Sequence, residues 1–228
     1  AGGAAHSVIG SAPAMRHVFE LVRRAAPTDA NVLLLGESGV GKEVIARLLH
    51  AQSKRAAEVF MAVDLGAVSE SLFESELFGH RKGAFTDARE ERAGRFQAAS
   101  AGTLFLDEIG NLPLLLQGKL LSALEQRAVT PLGSDRPIDV DVRLICATNK
   151  SLIEMCRARE FREDLLYRIN TVEIRVPPLR ERTEDIAALF DYFIDLYSRK
   201  YNLRPKRLSR SAQKRLEAYP WPGNVREL

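Results

Sequence analysis

Short runs of consecutive apolar residues alternate with amphipathic segments over most of the chain. The runs lie at 31–35, 59–65, 103–106, 142–147 and 171–176. Between them, residues 15–26 and 43–51 repeat apolar side chains at the spacing of one helical face. Continuous apolar runs are typical of strands that are buried on both sides of a parallel sheet. The alternation therefore predicts an α/β fold with a mainly parallel five-stranded sheet flanked by helices.

The pattern changes after Pro177-Pro178, which ends the last predicted strand. Three helical segments follow without a strand between them, at 185–199, 209–218 and from 224 onward, with Thr183 and Ser209 as predicted N-caps. We therefore expect a linker remnant at 1–7, an α/β subdomain at 8–178 and a small helical lid at 179–228. The last helix has no terminating signal, which predicts that the chain is part of a longer protein.

Composition excludes only a few classes of function. The 228 residues include 33 basic and 30 acidic side chains, and this net charge of +3 is too even to predict nucleic-acid binding. No apolar run approaches the roughly 18 residues that a membrane span requires, and no signal peptide opens the chain. Cys146 and Cys156 form neither a disulfide framework nor a metal pair. These features predict a soluble, cytoplasmic protein.

A glycine-rich loop joins the first apolar run to the helix that follows it. Its residues are Gly36, Glu37, Ser38, Gly39, Val40, Gly41 and Lys42. In such a loop, backbone N–H groups converge on phosphate oxygens, and the lysine reaches the β- and γ-phosphates. Glu43 stands where a serine or threonine normally ligates magnesium, a role that a carboxylate can fill directly or through water. The loop predicts ATP binding.

Two adjacent acids, Asp107 and Glu108, end another apolar strand. Ligands of open α/β sheets bind at the carboxyl ends of the strands, so these acids are expected beside the phosphate loop. Asp107 is the predicted magnesium ligand, and Glu108 is predicted to orient or deprotonate the attacking water. An acidic pair at the end of a strand is more often an exposed pair without a function. Because the glycine loop lies upstream, the functional interpretation is favoured here.

Three further residues have a possible role in phosphate chemistry. Asn149 follows a strand and could sense the γ-phosphate or position water, and the alternative is that Thr148-Asn149 caps the next helix. Arg162 and Arg168 flank a short helical stretch, and arginines stabilise the charge of a transferring phosphoryl group. Most surface arginines have no such role.

With these motifs in place, the sequence resembles the central AAA+ ATPase domain of bacterial enhancer-binding proteins, which activate RNA polymerase carrying sigma-54. The resemblance covers essentially residues 8–228. The matching motifs lie at 36–43, 76–80, 83–88, 104–108, 161–168 and 221–228. Glu43 is usual in this family. The resemblance implies a P-loop ATPase with ATP and Mg²⁺, assembled as a ring, typically a hexamer with a heptamer as the alternative.

The resemblance also implies roles for individual residues. Arg162 and Arg168 would act on a neighbouring subunit's ATP, whereas Asn149 and Arg226 would belong to the first and second sensors of the same subunit. Val8 and Ile9 would line the adenine pocket. The predicted sigma-54 contact loop consists of Gly83, Ala84, Phe85, Thr86, Asp87 and Ala88. A sensory or receiver domain would precede the chain, which leaves a two-component link open, and DNA would be bound only by a later helix-turn-helix domain.

Two positions depart from the family pattern. Asp87 replaces a glycine of the contact loop, so the alternative function is an AAA+ module of a DNA-binding regulator that does not engage sigma-54. Asp64 replaces an asparagine that pairs with the strand-end glutamate in a nucleotide-dependent switch. Since two close carboxylates repel, Asp64 predicts a switch that is weakened or bridged by water or arginine.

Overall fold

The computed structural model describes residues 8–69, 72–86, 88–204 and 206–228. Its strands, in chain order, are β1 (Val32–Leu35), β2 (Phe60–Asp64), β3 (Gly79–His80), β4 (Arg92–Ala93), β5 (Thr103–Asp107), β6 (Ala128–Val129), β7 (Ile138–Asp139), β8 (Arg143–Thr148) and β9 (Val172–Arg175). Five of them form one parallel sheet in the order β2-β5-β8-β1-β9. The predicted five-stranded parallel sheet is confirmed, and each of its strands begins and ends within one residue of a predicted run.

Helices cover both faces of this sheet. They are α1 (Pro13–Ala25), α2 (Lys42–Ala51), α3 (Phe73–Phe78), α4 (Arg95–Ala98), α5 (Leu114–Gln126), α6 (Leu152–Arg157) and α7 (Glu163–Ile169). Because side chains alternate across a strand, Leu34 and Ile145 pack with α1 and α2, whereas Leu33 and Leu144 pack with α3, α5, α6 and α7. The continuous apolar runs thus reflect burial on two faces.

The segment between β2 and β5 contains more than a crossover helix. The antiparallel pair β3–β4 lies between α3 and α4, and it forms the base of the predicted contact loop. Leu132 binds this base, because its N–H donates to the Gly79 carbonyl (2.9 Å) and its carbonyl accepts from the Arg81 N–H (2.9 Å). Within the described residues, no helix combines the length and the apolar character that crossing a bilayer requires.

The remaining helices are α8 (Ile186–Tyr201), α9 (Arg210–Ala218) and α10 (Asn224–Glu227). Leu179, Ile186, Leu189 and Trp221 form their buried core. Ser209 caps α9 as predicted, since its hydroxyl accepts from the Ala212 N–H at 3.2 Å.

The prediction for Thr183 is wrong, because Thr183 begins a 3₁₀ turn and α8 starts only at Ile186. The fully buried Asp185 precedes α8, but its carboxylate accepts from the backbone N–H groups of Ser11 (2.6 Å) and Ala12 (2.9 Å) at the start of α1. Hydrogen bonds to a residue far along the chain thus tie the two residues that precede α1 to the helical region, a contact that a local sequence pattern cannot indicate.

Candidate nucleotide-binding and hydrolysis site

The phosphate loop lies between β1 and α2 at the carboxyl edge of the sheet. Gly39 (φ 80°) and Gly41 (φ 103°) occupy the left-handed region, which glycine adopts without steric cost. A Cβ added at Gly41 would meet no atom within 4 Å, so an open space faces the loop there. Glycine amides bordering an open space at a helix N-terminus are suited to holding phosphate oxygens.

Lys42 is almost completely buried beneath this loop. Its Nζ donates to the carbonyls of Gly36 (3.0 Å) and Glu37 (3.2 Å) and lies 3.8 Å from Glu108 Oε1. The ammonium is therefore anchored by backbone oxygens of the loop and faces the acidic strand end. This places one fixed positive charge between the loop and the acids.

Asp107 and Glu108 lie at the end of β5. Asp107 Oδ1 accepts from the Glu108 N–H (3.0 Å), and Glu108 itself adopts a left-handed conformation (φ 55°) that is unusual for a glutamate. Burial raises the pKa of Asp107, the Glu108 and Asp64 carboxylates raise it further, and Lys42 opposes them. A carboxylate with a raised pKa gains from a cation placed beside it. Strained backbone and a perturbed acid together are typical of a functional site.

Glu43 does not join this group. Its Oε1 accepts from the Nε (3.0 Å) and Nη2 (2.6 Å) of Arg47, one turn along the exposed side of α2. The structure therefore brings Asp107 together with Lys42 and Glu108, and it gives Glu43 a different partner. Magnesium in phosphate sites is commonly held by one or two carboxylates plus the phosphates themselves, a pattern that Asp107 fits.

Asp64 lies beside Asp107, because β2 and β5 pair these two residues in register. The Asp64 side chain is exposed, and its Oδ1 accepts from the Gly66 N–H at 2.8 Å. The hydrogen bond is therefore made within the turn that follows β2, and the predicted coupling between Asp64 and Glu108 stays a prediction.

Asn149 follows β8 directly and is exposed at the cleft beside Gly36 and Glu37. The Gly36 N–H donates to the Thr148 carbonyl (3.3 Å), so the end of β8 lies against the start of the phosphate loop. The helix after Asn149 is capped by Ser151, whose hydroxyl accepts from Glu154 N. This removes the alternative in which Thr148-Asn149 provides the cap.

Val8 and Ile9 line a mainly apolar cavity of about 230 Å³ on the other side of the loop. Val40, Val176 and residues of α8 complete its wall. Arg182 also borders this cavity; it is almost fully buried, and its Nη2 donates to the Val40 carbonyl at 2.7 Å. An apolar cavity of this kind next to a phosphate loop is suited to a planar base.

Both the first residues and the last helix of the helical lid contact the phosphate loop. Arg226 Nη1 donates to the Ser38 hydroxyl (3.2 Å), and Arg180 forms a bidentate ion pair with Glu37 (2.9 and 2.5 Å). Asn224 Nδ2 donates to Glu37 Oε2 and to the Ser38 carbonyl, each at 3.1 Å. The hydrogen bonds from Arg180 and Asn224 lower the Glu37 pKa to about 2, although burial opposes this shift slightly.

The predicted arginine fingers lie away from the phosphate loop of their own chain. Arg162 begins α7 and forms an exposed bidentate pair with Asp164 (3.0 and 2.6 Å). Arg168, also exposed, donates through Nη2 to the Leu124 carbonyl (2.8 Å) and borders a cleft beside Asn31 and Thr171, at the amino ends of the strands. The single chain therefore does not bring these arginines to its own site.

The contact loop is compact where it is described. The Gly83 N–H donates to the Ala88 carbonyl (2.8 Å), and the Ala88 N–H donates to the Phe85 carbonyl (3.0 Å). Phe85 is 37% exposed, and its ring packs edge-on against His80 at 5.0 Å between centroids. Thr86 is also exposed. Phe85 is thus a surface aromatic, whereas Asp87 lies outside the described residues.

No role was predicted from the sequence for three residues that contact the phosphate loop, although Asn224 lies within the matching motif at 221–228. Arg180 and Arg182 lie between β9 and α8, in the segment 176–185 that we call the connector and that includes the first residues of the lid, and Asn224 is the first residue of α10. The opposite charges of Glu37 and Arg180 were visible in the sequence, but many other arginines were equally available to Glu37. Only the docked lid selects these partners.

Comparisons with known protein families support the assignment that the geometry of the site suggests. The family model of the sigma-54 interaction domain matches residues 8–175, and the family model of the AAA+ ATPase lid domain matches residues 180–228. The chain belongs to the sigma-54 interaction domain family.

Relatives of this sigma-54 interaction domain are regulators about twice its length. The transcriptional regulatory protein FlbD of Caulobacter vibrioides is 47% identical over 95% of this chain and 48% of its own length. ZraR of Salmonella typhimurium is 48% identical over the whole chain and 52% of its own length. The crystal structure of NtrX from Brucella abortus in complex with ATP shows 33% identity and a TM-score of 0.91, and the match covers 97% of this chain and 48% of NtrX. The resemblance to sigma-54 activators and the AAA+ fold are confirmed.

Acid should weaken the contribution of Glu37 to stability. Its ordinary pKa is 4.5 and its folded pKa is about 2, so the stabilisation by the ionised carboxylate is complete above pH 4.5 and is lost as the pH falls toward 2. We expect the stability difference between the parent and Glu37→Gln to shrink on acidification, as measured by urea unfolding at about pH 6.5 and about pH 3. Glu217→Gln in the lid is the matched control, and a difference that stays constant over this range would contradict the expectation.

Proposed function

We propose that this domain hydrolyses ATP in a sigma-54-dependent transcription activator and couples hydrolysis in a ring oligomer to remodelling of RNA polymerase carrying sigma-54. The observation that carries the proposal is the convergence of Lys42, Asp107 and Glu108 beside a glycine loop that borders an open space at Gly41. The family match and the names of the relatives support the biological context. In this proposal residues 8–178 bind the nucleotide and residues 179–228 form the lid.

Each group of residues in the site acts on a different part of ATP. The amides of 36–42 hold the phosphates, the cavity beside Val8 and Ile9 takes the adenine, and Lys42 neutralises charge on the terminal phosphates. Asp107 holds magnesium, which when bound offsets the charge that develops on the phosphates. Glu108, 3.8 Å from Lys42, orients the attacking water and accepts its proton. Asn149 adds a neutral polar contact near the γ-phosphate.

The exposed positions of Arg162 and Arg168 support assembly of the domain into a ring of subunits. Neither arginine is directed at the loop of its own chain, so each is available to a neighbouring subunit's nucleotide. Arginines supplied in this way typically raise phosphoryl-transfer rates by about 10³–10⁵. Hydrolysis at one subunit then depends on the next, and a hexamer or heptamer closes the arrangement.

The contact loop supports sigma-54 as the partner. The partly exposed Phe85 and the adjacent hydroxyl of Thr86 offer an apolar and a polar contact on the loop between β3 and β4. The alternative, a regulator that does not engage sigma-54, depends on Asp87, and the relatives do not favour it. DNA contact belongs to a separate domain of the longer protein.

Two substitutions should separate binding from hydrolysis. Lys42→Ala removes the anchored ammonium and should abolish ATP binding, as measured by calorimetry in the presence of magnesium. Glu108→Gln should retain ATP binding but lower the rate of phosphate release by about 10²–10⁴-fold, since Glu108 acts as a general base. Lys119→Ala, at an exposed lysine paired with Glu74, is the control. If Lys42→Ala bound and hydrolysed ATP like the parent, the proposal would fail.

Hydrolysis should depend on assembly. The rate per subunit should rise with protein concentration, and Arg162→Ala and Arg168→Ala should each retain ATP binding while losing about 10³-fold or more in turnover. Mixing either variant with Glu108→Gln subunits, which carry intact arginines, should restore part of the activity in phosphate-release assays. A rate that is independent of concentration, together with harmless arginine substitutions, would refute action in trans.

Sigma-54 should bind the domain when a transition-state mimic of ATP is present. In a pull-down with ADP and aluminium fluoride, Phe85→Ala and Thr86→Ala should reduce recovery of sigma-54 at least tenfold if the loop supplies about 1.4 kcal/mol or more of the contact. Lys214→Ala on the exposed side of α9 should leave recovery unchanged. If the parent fails to recover sigma-54 whereas Asp87→Gly recovers it, the alternative regulatory function is correct.

A further inference from the structure

Asn224 connects three separate segments of the chain through one side chain. Its Oδ1 accepts from the Leu179 N–H (2.8 Å) in the connector, and its Nδ2 donates to the Ser38 carbonyl and to Glu37 Oε2 in the phosphate loop. The residue is fully buried and has a positive φ of 54°, which asparagine tolerates better than most residues. Both amide hydrogens and the oxygen are used, so the side chain has a single compatible orientation.

Glu37 continues the connection on the loop side. Oε2 accepts from Asn224 and from Arg180 Nη1 (2.9 Å), whereas Oε1 accepts from Arg180 Nη2 (2.5 Å). One carboxylate thus binds the connector and the first residue of α10 together. A bidentate arginine pair fixes orientation as well as distance.

The backbones of the lid and the loop also meet here. The Val225 N–H donates to the Gly39 carbonyl at 3.0 Å, and a Cβ added at Gly39 would lie 2.3 Å from the Gly223 carbonyl oxygen. Gly39 is therefore needed both for its positive φ and for the close approach of the lid. The loop cannot shift at Ser38 or Gly39 without moving the start of α10.

Arg226 is two residues beyond Asn224 on the same short helix, and its guanidinium lies on the Ser38 hydroxyl. Because both residues belong to α10, the contacts that hold the Asn224 side chain in place also orient the Arg226 side chain. We propose that Asn224, Glu37 and Arg180 form a latch that holds the lid on the phosphate loop and positions Arg226 for the terminal phosphate of ATP. Asn224 and Glu37 are positioning residues in this arrangement, which rests on the proposed ATP-binding function.

A latch of this kind affects ATP and ADP differently. The loop amides and the apolar cavity contact parts that both nucleotides share, whereas Arg226 acts on the phosphate that only ATP has. Loosening the latch should therefore weaken ATP binding selectively. A purely structural role for Asn224 would weaken both nucleotides together or neither.

The test is the ratio of the dissociation constants of ADP and ATP, measured by calorimetry with magnesium on the parent and on near-isosteric variants. Asn224→Asp keeps the acceptor for Leu179 but loses both donors and places a second carboxylate beside Glu37. We expect it to weaken ATP binding about tenfold and ADP binding by less than about twofold. Arg180→Ala, which loosens Glu37 alone, should give a smaller change of the same sign.

The double variant Glu37→Gln/Asn224→Asp provides a rescue. Its glutamine amide can donate to the new aspartate, which restores the hydrogen bond with its direction reversed, so ATP preference should recover in part. Asn202→Ala is the matched control, since Asn202 is an exposed lid asparagine that also has a positive φ (51°). Circular dichroism establishes that each variant is folded.

The outcomes are distinguishable. A selective loss of ATP affinity in Asn224→Asp with recovery in the double variant supports the latch. An unchanged ratio in Asn224→Asp, or an equal loss for both nucleotides, overturns the latch while leaving the proposed function intact. Failure of the parent to bind either nucleotide overturns the proposed function and the latch with it.

Discussion

The anchoring of Lys42 by the carbonyls of its own loop is the contact around which the rest of the site is arranged. The ammonium can reach those carbonyls only because Gly39 and Gly41 turn the chain through the left-handed region between β1 and α2. β1 in turn lies between β8 and β9 in the sheet, so the loop emerges next to the end of β8. The buried positive charge, the turn of glycines and the interior position of β1 in the sheet depend on one another.

The acids at the end of β5 complete an electrostatic balance around this lysine. Burial disfavours ionisation of Asp107, and the neighbouring carboxylates add to that effect, whereas Lys42 offsets it. Such a site gains from any additional cation that arrives with a phosphate ligand. The left-handed backbone of Glu108 directs the second acid toward Lys42, at a cost that the surrounding sheet and core can sustain.

The helical region takes part in the phosphate site as well as covering it. Asp185 accepts from the N–H groups of Ser11 and Ala12, Arg182 binds the Val40 carbonyl, and Asn224 binds the Ser38 carbonyl. Each of these side chains is buried and comes from the connector or the lid. Two of these contacts fall on the phosphate loop itself, at Ser38 and Val40. This coupling suits a domain whose proposed task is to turn nucleotide state into movement.

The sequence alone determined the fold class and the strand positions, because burial on two faces produces continuous apolar runs. The glycine loop and the acidic strand end indicated a nucleotide site, and the resemblance carried by the full set of matching motifs indicated the family. The Glu43–Arg47 pair, four residues apart on one helix, is a local contact that the sequence allows. The sequence could not indicate that Asp185 bonds to the N–H groups of Ser11 and Ala12, or that Glu37 is held by Arg180 and Asn224. Those outcomes were decided by tertiary structure. A local pattern constrains residues a few positions apart, whereas the partner of a polar side chain is whichever group the packed lid and sheet bring within about 3 Å.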